Sequence, residues 1–254
     1  MSLAGRLLAH DGRLLVVAVD HALYSWPCRG LEDRGALLRA VSGAGADAII
    51  CSYGTLRDHR DAFGGAKPIL KLDLTTVAIG GSYPVSEYVA AYTVDDAVRL
   101  GAAAVLTYVQ LGAAFELAAL RTAAQVAAAA DRVGLPYVCE IMPVHGPQYP
   151  VLDAPLAIAA AARTGAELGA HVVKTTMPSP ASAMAAVVCC DVPVILAGGD
   201  LTGDREALLA TVRAALDAGA SGVAHGRNVW GSENPAEAVA ALRDVVHAGV
   251  TAGG

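Results

Sequence analysis

The chain has 254 residues, of which 55% are hydrophobic, with a formal net charge of −6 and a sequence pI near 5.6. An acidic chain with no basic cluster is poorly suited to gripping phosphate backbones, which excludes general nucleic-acid binding, and no apolar run approaches the roughly 20 residues of a membrane-spanning helix. The first residues, MSLAGRLLAHDGRLL, lack the basic start, long apolar stretch and small-residue cleavage site of a signal peptide, so a soluble cytoplasmic protein is expected.

Short β-rich runs alternate with alanine-rich segments of helical length. LLVVAVD (14–20) is the first run, and the helical segment EDRGALLRAVSGAG follows it. DAIICSY (47–53) and PILKLDL (68–74) come next, then TVDDAVRLGA as a helix ahead of AAVLTYV (103–109). The long helical stretch AFELAALRTAAQVAAAADRVG leads to YVCEIMP (137–143), and PLAIAAAARTGAELGA leads to HVVKTTM (171–177). PVILAGG (193–199), the helix REALLATVRAALDAGA, GVAHGR (222–227) and a final helix PAEAVAALRDVVHAG complete the series. Each run is close to continuously apolar, as strands covered on both faces should be. Several helices end in the same device, AGAD (44–47), LGAA (100–103), LGAH (168–171) and AGAS (218–221), where a C-cap glycine feeds the next strand. Eight strand–helix units of about 30 residues predict a single-domain (β/α)8 TIM barrel over residues 1–254. The rival, an open doubly wound sheet, would show a Gly-rich fingerprint after the first strand, where this chain has VDHALYSWP. The irregular stretch 75–92, TTVAIGGSYPVSEYVAAY, reads as a long active-site loop. The five cysteines have no CxxC spacing and read as free thiols in a reducing compartment.

In such a barrel the C-terminal ends of the strands line the site. The polar residues there are Asp20 and His21, Ser52 and Tyr53, Lys71 and Asp73, Tyr108 and Gln110, Glu140 and His145, Lys174 and Thr176, Gly198 to Asp200, and Gly226 to Asn228. Lys174 stands out, one of only three lysines and placed inside a buried run. Burying an ammonium costs several kcal/mol unless it is paired or neutral. A neutral amine can attack a carbonyl carbon and form a Schiff base, whose iminium acts as an electron sink for making or breaking an adjacent carbon–carbon bond. The alternative is a structural lysine that reaches the barrel mouth or pairs with a carboxylate such as Glu140. Lys71 and Asp73 share strand parity and face the same way. Lys71 either lowers the pKa of Lys174 as a second cation, pairs with Asp73, or binds a substrate carboxylate or phosphate. AGGD (197–200) and AHGRNVW (224–230) place glycines at strand ends where backbone N–H groups can approach a phosphate, and Arg227 can add a charge-assisted contact. Turn formation alone is the other reading of those glycines. His171, at the start of its strand, reads as structural, and His225 as either a phosphate contact or a packing residue. No HxxH, HExxH or carboxylate cluster has metal-ligand spacing.

AVDHAL on the first strand, GAELGAHVVKTTMP, VPVILAGGD and ALDAGASGVAHGRNVWGSENP together resemble the class I (Schiff-base) aldolases of the archaeal-type fructose-bisphosphate aldolase and LsrF group, of the DeoC/LacD kind. The likeness covers nearly the whole chain and is most specific from 163 to 235. It implies Lys174 as the Schiff-base lysine, Asp20 as a carboxylate that handles protons or orients substrate, and phosphate binding by Gly198, Gly199, Gly226 and Arg227. Two departures stand out. The group usually carries a proton-donating tyrosine at the end of the fifth strand, where this chain has IMPVHG, with Met142 or Pro143 at that place. Either Tyr108, His145 or Glu140 then serves, or the usual reaction is lost. The third strand carries LKLDLTT where the group often has a neutral or histidine-bearing segment.

The expectation is a barrel enzyme acting on a phosphorylated ketose or dihydroxyacetone phosphate with a small aldehyde such as aspartate semialdehyde. Lys174 is its nucleophile, Asp20 and either Tyr108 or His145 move protons, and Lys71 and His21 contact substrate. The chemistry needs no metal and no cofactor. Partners are a small phosphorylated sugar or ketone and further copies of the chain in a homo-oligomer, with no nucleic acid and no membrane. A transaldolase or acyl-transfer reaction on a phosphorylated dione, and a catalytically weak sugar-phosphate-binding barrel, are the rival functions.

Overall fold

The computed structural model describes residues 2–75, 78–79, 87–144, 150, 154–180 and 183–248. The eight apolar runs become eight parallel strands: β1 (Leu14–Ala18), β2 (Ala48–Cys51), β3 (Lys67–Lys71), β4 (Ala104–Leu111), β5 (Tyr137–Pro143), β6 (Val172–Thr175), β7 (Val194–Ala197) and β8 (Gly222–His225). Each pairs with its neighbour in sequence, and β8 pairs back onto β1, so the sheet closes and leaves no edge. The helices are α1 (Leu3–Leu7), α2 (Arg34–Gly43), α3 (Tyr53–Asp58), α4 (Val94–Leu100), α5 (Glu116–Val133), α6 (Pro155–Glu167), α7 (Met184–Val187), α8 (Arg205–Asp217), α9 (Arg227–Trp230) and α10 (Pro235–Val246). The glycines after α4 and α5, Gly101 and Gly134, both take φ +67°, the left-handed cap that sends the chain into the next strand.

Strand alternation divides the interior in two. Val16, Ile50, Ile69, Leu106, Val138, Val172 and Ile195 fill the lumen, while Val17, Ile49, Leu70, Val105, Cys139, Val173 and Leu196 pack under the helices. Both sets are buried, which explains why the strands read as unbroken apolar runs rather than as alternating ones. The lumen floor is closed by a piece the sequence reading did not anticipate. Leu7 at the end of α1 is fully buried in the lumen cluster, and Lys67 holds the turn after it, donating from Nζ to the carbonyls of Leu7 at 2.9 Å and Leu8 at 3.3 Å.

Two expected strands end early, each for a local reason. The second stops at Cys51 because Ser52 is the N-cap of α3, its hydroxyl accepting from the Thr55 amide at 3.2 Å. Tyr53 then stacks on Tyr92 with ring centroids 4.6 Å apart, so Ser52 and Tyr53 build α3 instead of lining the site. The third stops at Lys71, and Asp73–Thr75 turns into an antiparallel ribbon with Tyr88–Ala90. A second ribbon pairs Ser25–Trp26 in parallel with Ala78–Ile79. The stretch expected to be a long loop is therefore paired at both ends, and its residues 76–77 and 80–86 lie outside the described residues. Four cysteines are buried and free, and Cys189 is free and exposed.

Candidate active site

The C-terminal mouth of the barrel opens on a cavity of about 930 Å3. Its wall carries Asp20 and His21 beyond β1, Lys71 on β3, Tyr108 and Gln110 on β4, Glu140 and Met142 on β5, Lys174 and Thr176 on or just after β6, Gly198 and Gly199 beyond β7, and His225 to Arg227 at the end of β8. The residues expected to act on or contact substrate all line it except His145, which lies outside the described residues, whereas Ser52, Tyr53, Asp73, Asp200 and Asn228, named only as strand-end residues, do not line it.

Lys174 owes its place to parity. Val172 points into the lumen and Val173 under the helices, so Lys174 points into the lumen again. It is 5% exposed, and its Nζ stands 2.7 Å from Oε1 of Glu140. Glu140 is its register partner on β5, and Tyr108 is the register partner of Glu140 on β4. One layer across three strands thus holds an amine, a carboxylate and a phenol. The pairing with Glu140 that the structural alternative names is present, but inside a cavity large enough for a substrate, with the carboxylate in reach of the amine's protons.

Lys71 also faces the lumen, 2% exposed, with Nζ 2.8 Å from Oδ1 of the fully buried Asp73. This contact is an ion pair whose angles fall short of a hydrogen bond. Burial works against the Lys71 charge, but Asp73, Asp20 and Glu140 together outweigh it and hold the pKa above the ordinary lysine value. Of the three readings left open for Lys71, the pair with Asp73 is therefore present. Asp73 Oδ2 meanwhile accepts from the Tyr88 hydroxyl at 3.0 Å and from the Tyr108 amide. The Tyr108 hydroxyl accepts from Gln110 Nε2 at 2.8 Å and donates to Met142 Sδ at 3.4 Å, while the Lys71 ammonium lies 5.1 Å from its ring centroid. Met142 shares the lumen side with Glu140, two residues away, and fills the place where the resemblance leads one to look for a tyrosine.

Asp20 and His21 close the opposite wall. Asp20 is 3% exposed, and its Oδ1 is 3.7 Å from His21 Nδ1 without a hydrogen bond between them. Burial lowers the His21 pKa, and Lys174 and Arg227 push the same way against Asp20, so the ring is neutral. Its face is set by Trp230, edge-on at 5.3 Å, whose Nε1 donates to the Ala18 carbonyl at 3.1 Å. A Cβ on Gly226 would land 2.5 Å from His21 Cε1 and 2.9 Å from the Ala18 oxygen, so only glycine lets β8 lie against this ring.

The glycines after β7 divide their work. Gly199 takes φ +66° and has open space on its side-chain side, leaving its backbone approachable from the cavity. A Cβ on Gly198 would come within 2.7 Å of His225 Cγ, so that glycine makes room for a histidine ring as well as lining the cavity. Arg227 is ion-paired with Asp200. Asn228, which sequence reasoning named only as a strand-end residue, ties the corner together. Its Nδ2 donates to the carbonyls of Gly198 and Asp200, each at 2.9 Å, and its Oδ1 accepts from the Thr202 amide at 2.9 Å. Asp20 Oδ1, His21 Nδ1, Thr176 Oγ1, His225 Nδ1 and Arg227 Nε are all buried without a hydrogen-bond partner, and all belong to residues lining this cavity. An unsatisfied buried polar group costs about 1–3 kcal/mol. Five of them around one space mark a site shaped for a polar ligand.

The profile of the DeoC/LacD family aldolases matches residues 14–232. The 2-amino-3,7-dideoxy-D-threo-hept-6-ulosonate synthase of Halobacterium salinarum is 36% identical over 241 residues, covering 94% of this chain and 89% of that protein. The 2-amino-4,5-dihydroxy-6-oxo-7-(phosphonooxy)heptanoate synthase of Streptomyces griseus is 32% identical over 250 residues, covering 98% and 90%. Among solved structures, a Schiff-base-forming fructose-1,6-bisphosphate aldolase superposes with a TM-score of 0.88 at 30% identity, covering 97% of this chain and 100% of that one. With the barrel, the lumen lysine and these likenesses in agreement, the chain belongs to the DeoC/LacD family of aldolases and is a class I aldolase.

Proposed function

We propose that Lys174 forms a Schiff base with the ketone of dihydroxyacetone phosphate or a phosphorylated ketose, and that the enzyme joins this donor to a small aldehyde or performs the reverse cleavage. The observation that carries the reading is the Lys174–Glu140 contact at 2.7 Å inside the 930 Å3 cavity. Glu140 takes a proton from the ammonium, and the neutral amine attacks the ketone carbon to give a carbinolamine. The protonated Glu140 returns its proton to the carbinolamine hydroxyl, which leaves as water, and an iminium remains. Asp20, across the lumen, takes the α-proton, and the electron pair released flows into the iminium to form an enamine. The enamine carbon bonds to the aldehyde carbon, and water hydrolyses the product iminium to free Lys174. The donor's phosphate lies at the Gly199, Gly226 and Arg227 corner, with neutral His21 as a hydrogen-bonding neighbour and Lys71 facing the acceptor half. Aspartate semialdehyde is the acceptor favoured by the names of the two synthases, whose products carry a 2-amino group. Oligomerisation with further copies of the chain, as a ring, and a cytoplasmic setting complete the proposal; no helix among the described residues is long and apolar enough to cross a membrane.

Borohydride reduction in the presence of dihydroxyacetone phosphate, read by intact-protein and peptide mass spectrometry, tests the reading. A reduced adduct on the Lys174 peptide, absent in Lys174→Met, is the expected result. Saturable binding with no adduct would replace the aldolase by a sugar-phosphate-binding barrel. With a phosphorylated 1,3-dione in place of dihydroxyacetone phosphate, cleavage of the bond between its carbonyls with transfer of the acyl half to a thiol would make it the acyl-transfer enzyme.

A further inference from the structure

We infer that Tyr108 gives the aldehyde oxygen its proton as the carbon–carbon bond forms, and takes it back in cleavage. The inference rests on the lysine-aldolase reading and adds the acid–base group of its bond-making step. That step needs a group of its own. As the enamine pair bonds to the aldehyde carbon, the carbonyl π pair moves onto oxygen, and the alkoxide must gain a proton. Glu140 is committed to Lys174 at 2.7 Å, where its single proton serves the carbinolamine. Asp20 stands beyond β1, three strands round the barrel from β6 through β7 and β8. Tyr108 is two strands from Lys174 on the other side, in the same register layer. Two strand spacings amount to about 10 Å between backbones, which leaves the width of a short carbon chain between an inward amine and an inward phenol.

The hydroxyl is also oriented for giving. Gln110 Nε2 donates to it at 2.8 Å, which occupies one lone pair and turns the phenolic hydrogen away from Gln110. Among the described residues, Met142 Sδ accepts from it at 3.4 Å. A thioether is a weak acceptor, which an alkoxide oxygen displaces readily. The Lys71 ammonium, 5.1 Å from the ring centroid and held charged by its carboxylate neighbours, stabilises the negative charge left on the ring oxygen. The tyrosinate recovers its proton from cavity water after product leaves. Neither Met142 nor Pro143 can transfer a proton, and the phenol that stands level with Lys174 and Glu140 is the one on β4.

Partial reactions separate this role from the others. In Tyr108→Phe, the borohydride adduct on Lys174 and the exchange of the donor's C3 hydrogen for deuterium should stay within about threefold of wild type. Condensation with glyceraldehyde 3-phosphate or aspartate semialdehyde, whichever wild type uses faster, should fall by about 100- to 10,000-fold in kcat, as for loss of a general acid, with KM for dihydroxyacetone phosphate nearly unchanged. Tyr108→Phe with Met142→Tyr moves the hydroxyl to the adjoining strand and should recover at least tenfold of the loss. If the phenylalanine variant melts early, 3-fluorotyrosine at position 108 keeps the hydroxyl and should shift the alkaline limb of the condensation pH profile downward. Condensation within fivefold of wild type in Tyr108→Phe, or exchange falling in step with condensation, or an unmoved pH profile with fluorotyrosine, would overturn the assignment to Tyr108 while leaving Lys174 in place. No adduct and no turnover in wild type would instead bring down the aldolase reading itself.

Discussion

Replacing Asp73 by alanine removes the ion-pair partner of a buried ammonium, leaving only the more distant carboxylates of Asp20 and Glu140 to offset its burial. Asp73 is fully buried, Lys71 is 2% exposed, and their atoms are 2.8 Å apart. Breaking one side of such a pair costs about 3–5 kcal/mol, because the surviving charge stays in the low-dielectric interior. The substitution also strips the Tyr88 hydroxyl and the Tyr108 amide of their acceptor. Those losses are not additive with the first, since all three donors share one carboxylate. A net loss of about 4 kcal/mol lowers the melting temperature by roughly 8–16 °C in a domain of this size. The sign with pH follows. In the wild type the Lys71 pKa is raised by its carboxylate neighbours, so the pair's contribution persists through neutral pH and fades only as the medium rises through that elevated value. In the variant burial dominates, the pKa drops, and the penalty shrinks as alkali lets the amine go neutral. Thermal melts across pH 6–10 on Asp73→Ala and on Asp73→Ala/Lys71→Met check this. The double variant should be the more stable of the two near neutrality. A single variant within about 1 kcal/mol of wild type, or a double variant no better than the single, would refute the claim that an under-compensated ammonium is what the substitution leaves behind.

Arg227→Met should raise KM for dihydroxyacetone phosphate by about 10- to 100-fold with little change in kcat, the value of about 1.5–3 kcal/mol for a charged hydrogen bond; steady-state kinetics giving KM within twofold would remove Arg227 from the phosphate site. His225 is pushed down to about 4, first by burial and then by Lys174, whereas in the unfolded chain it titrates near 6.5. Its contribution to stability is thus fully present above about pH 6.5 and is lost as the medium acidifies through 4, with roughly 3 kcal/mol at stake over the whole interval. His225→Val should flatten the stability profile between pH 4 and 6.5, measured by urea unfolding at several pH values, and a profile of unchanged slope would contradict it. Leu7→Ala should cost about 2–5 kcal/mol as a buried leucine truncation at the lumen floor, and chemical denaturation showing under 1 kcal/mol would mean that α1 does not plug the barrel.

The barrel was legible because its strands are buried on both faces, and a run with two apolar faces leaves no ambiguity of period for LLVVA or AVLTYV to hide in. Lys174 was legible for the same reason, as a charge in such a run has few explanations. What could not be read were facts of register. YVCEIMP shows a glutamate, but only the alignment of Lys174 with Glu140 and of Glu140 with Tyr108 makes three separate candidates into one layer. Ser52 and Tyr53 misled because a residue past the last strand position is either a site residue or a helix cap, and CSYG carries a good N-cap serine whose claim won. Gly198 lines the cavity as expected but has a second meaning that local pattern does not show. A glycine at a strand end suggests an approaching ligand, yet the atom nearest its missing Cβ belongs to His225, twenty-seven residues further on.

These cases share one cause. Residues whose meaning is set by burial are readable from local pattern, whereas those whose meaning depends on which neighbour the barrel's stagger delivers are not. The proposed catalytic layer falls in the second group. The proposed chemistry asks of Lys174 a carboxylate at ion-pair distance and an acid a substrate's width away, and β5 and β4 offer them only because the strands are staggered so that positions 174, 140 and 108 come level. A shift of one residue on β5 would turn Glu140 under the helices and bring Cys139 or Ile141 to the amine. The apolar core tolerates no such slip, since the same shift would expose the lumen side of every residue on that strand to the wrong layer. The packing that closes the barrel is thereby also what holds the amine, the carboxylate and the phenol in one plane.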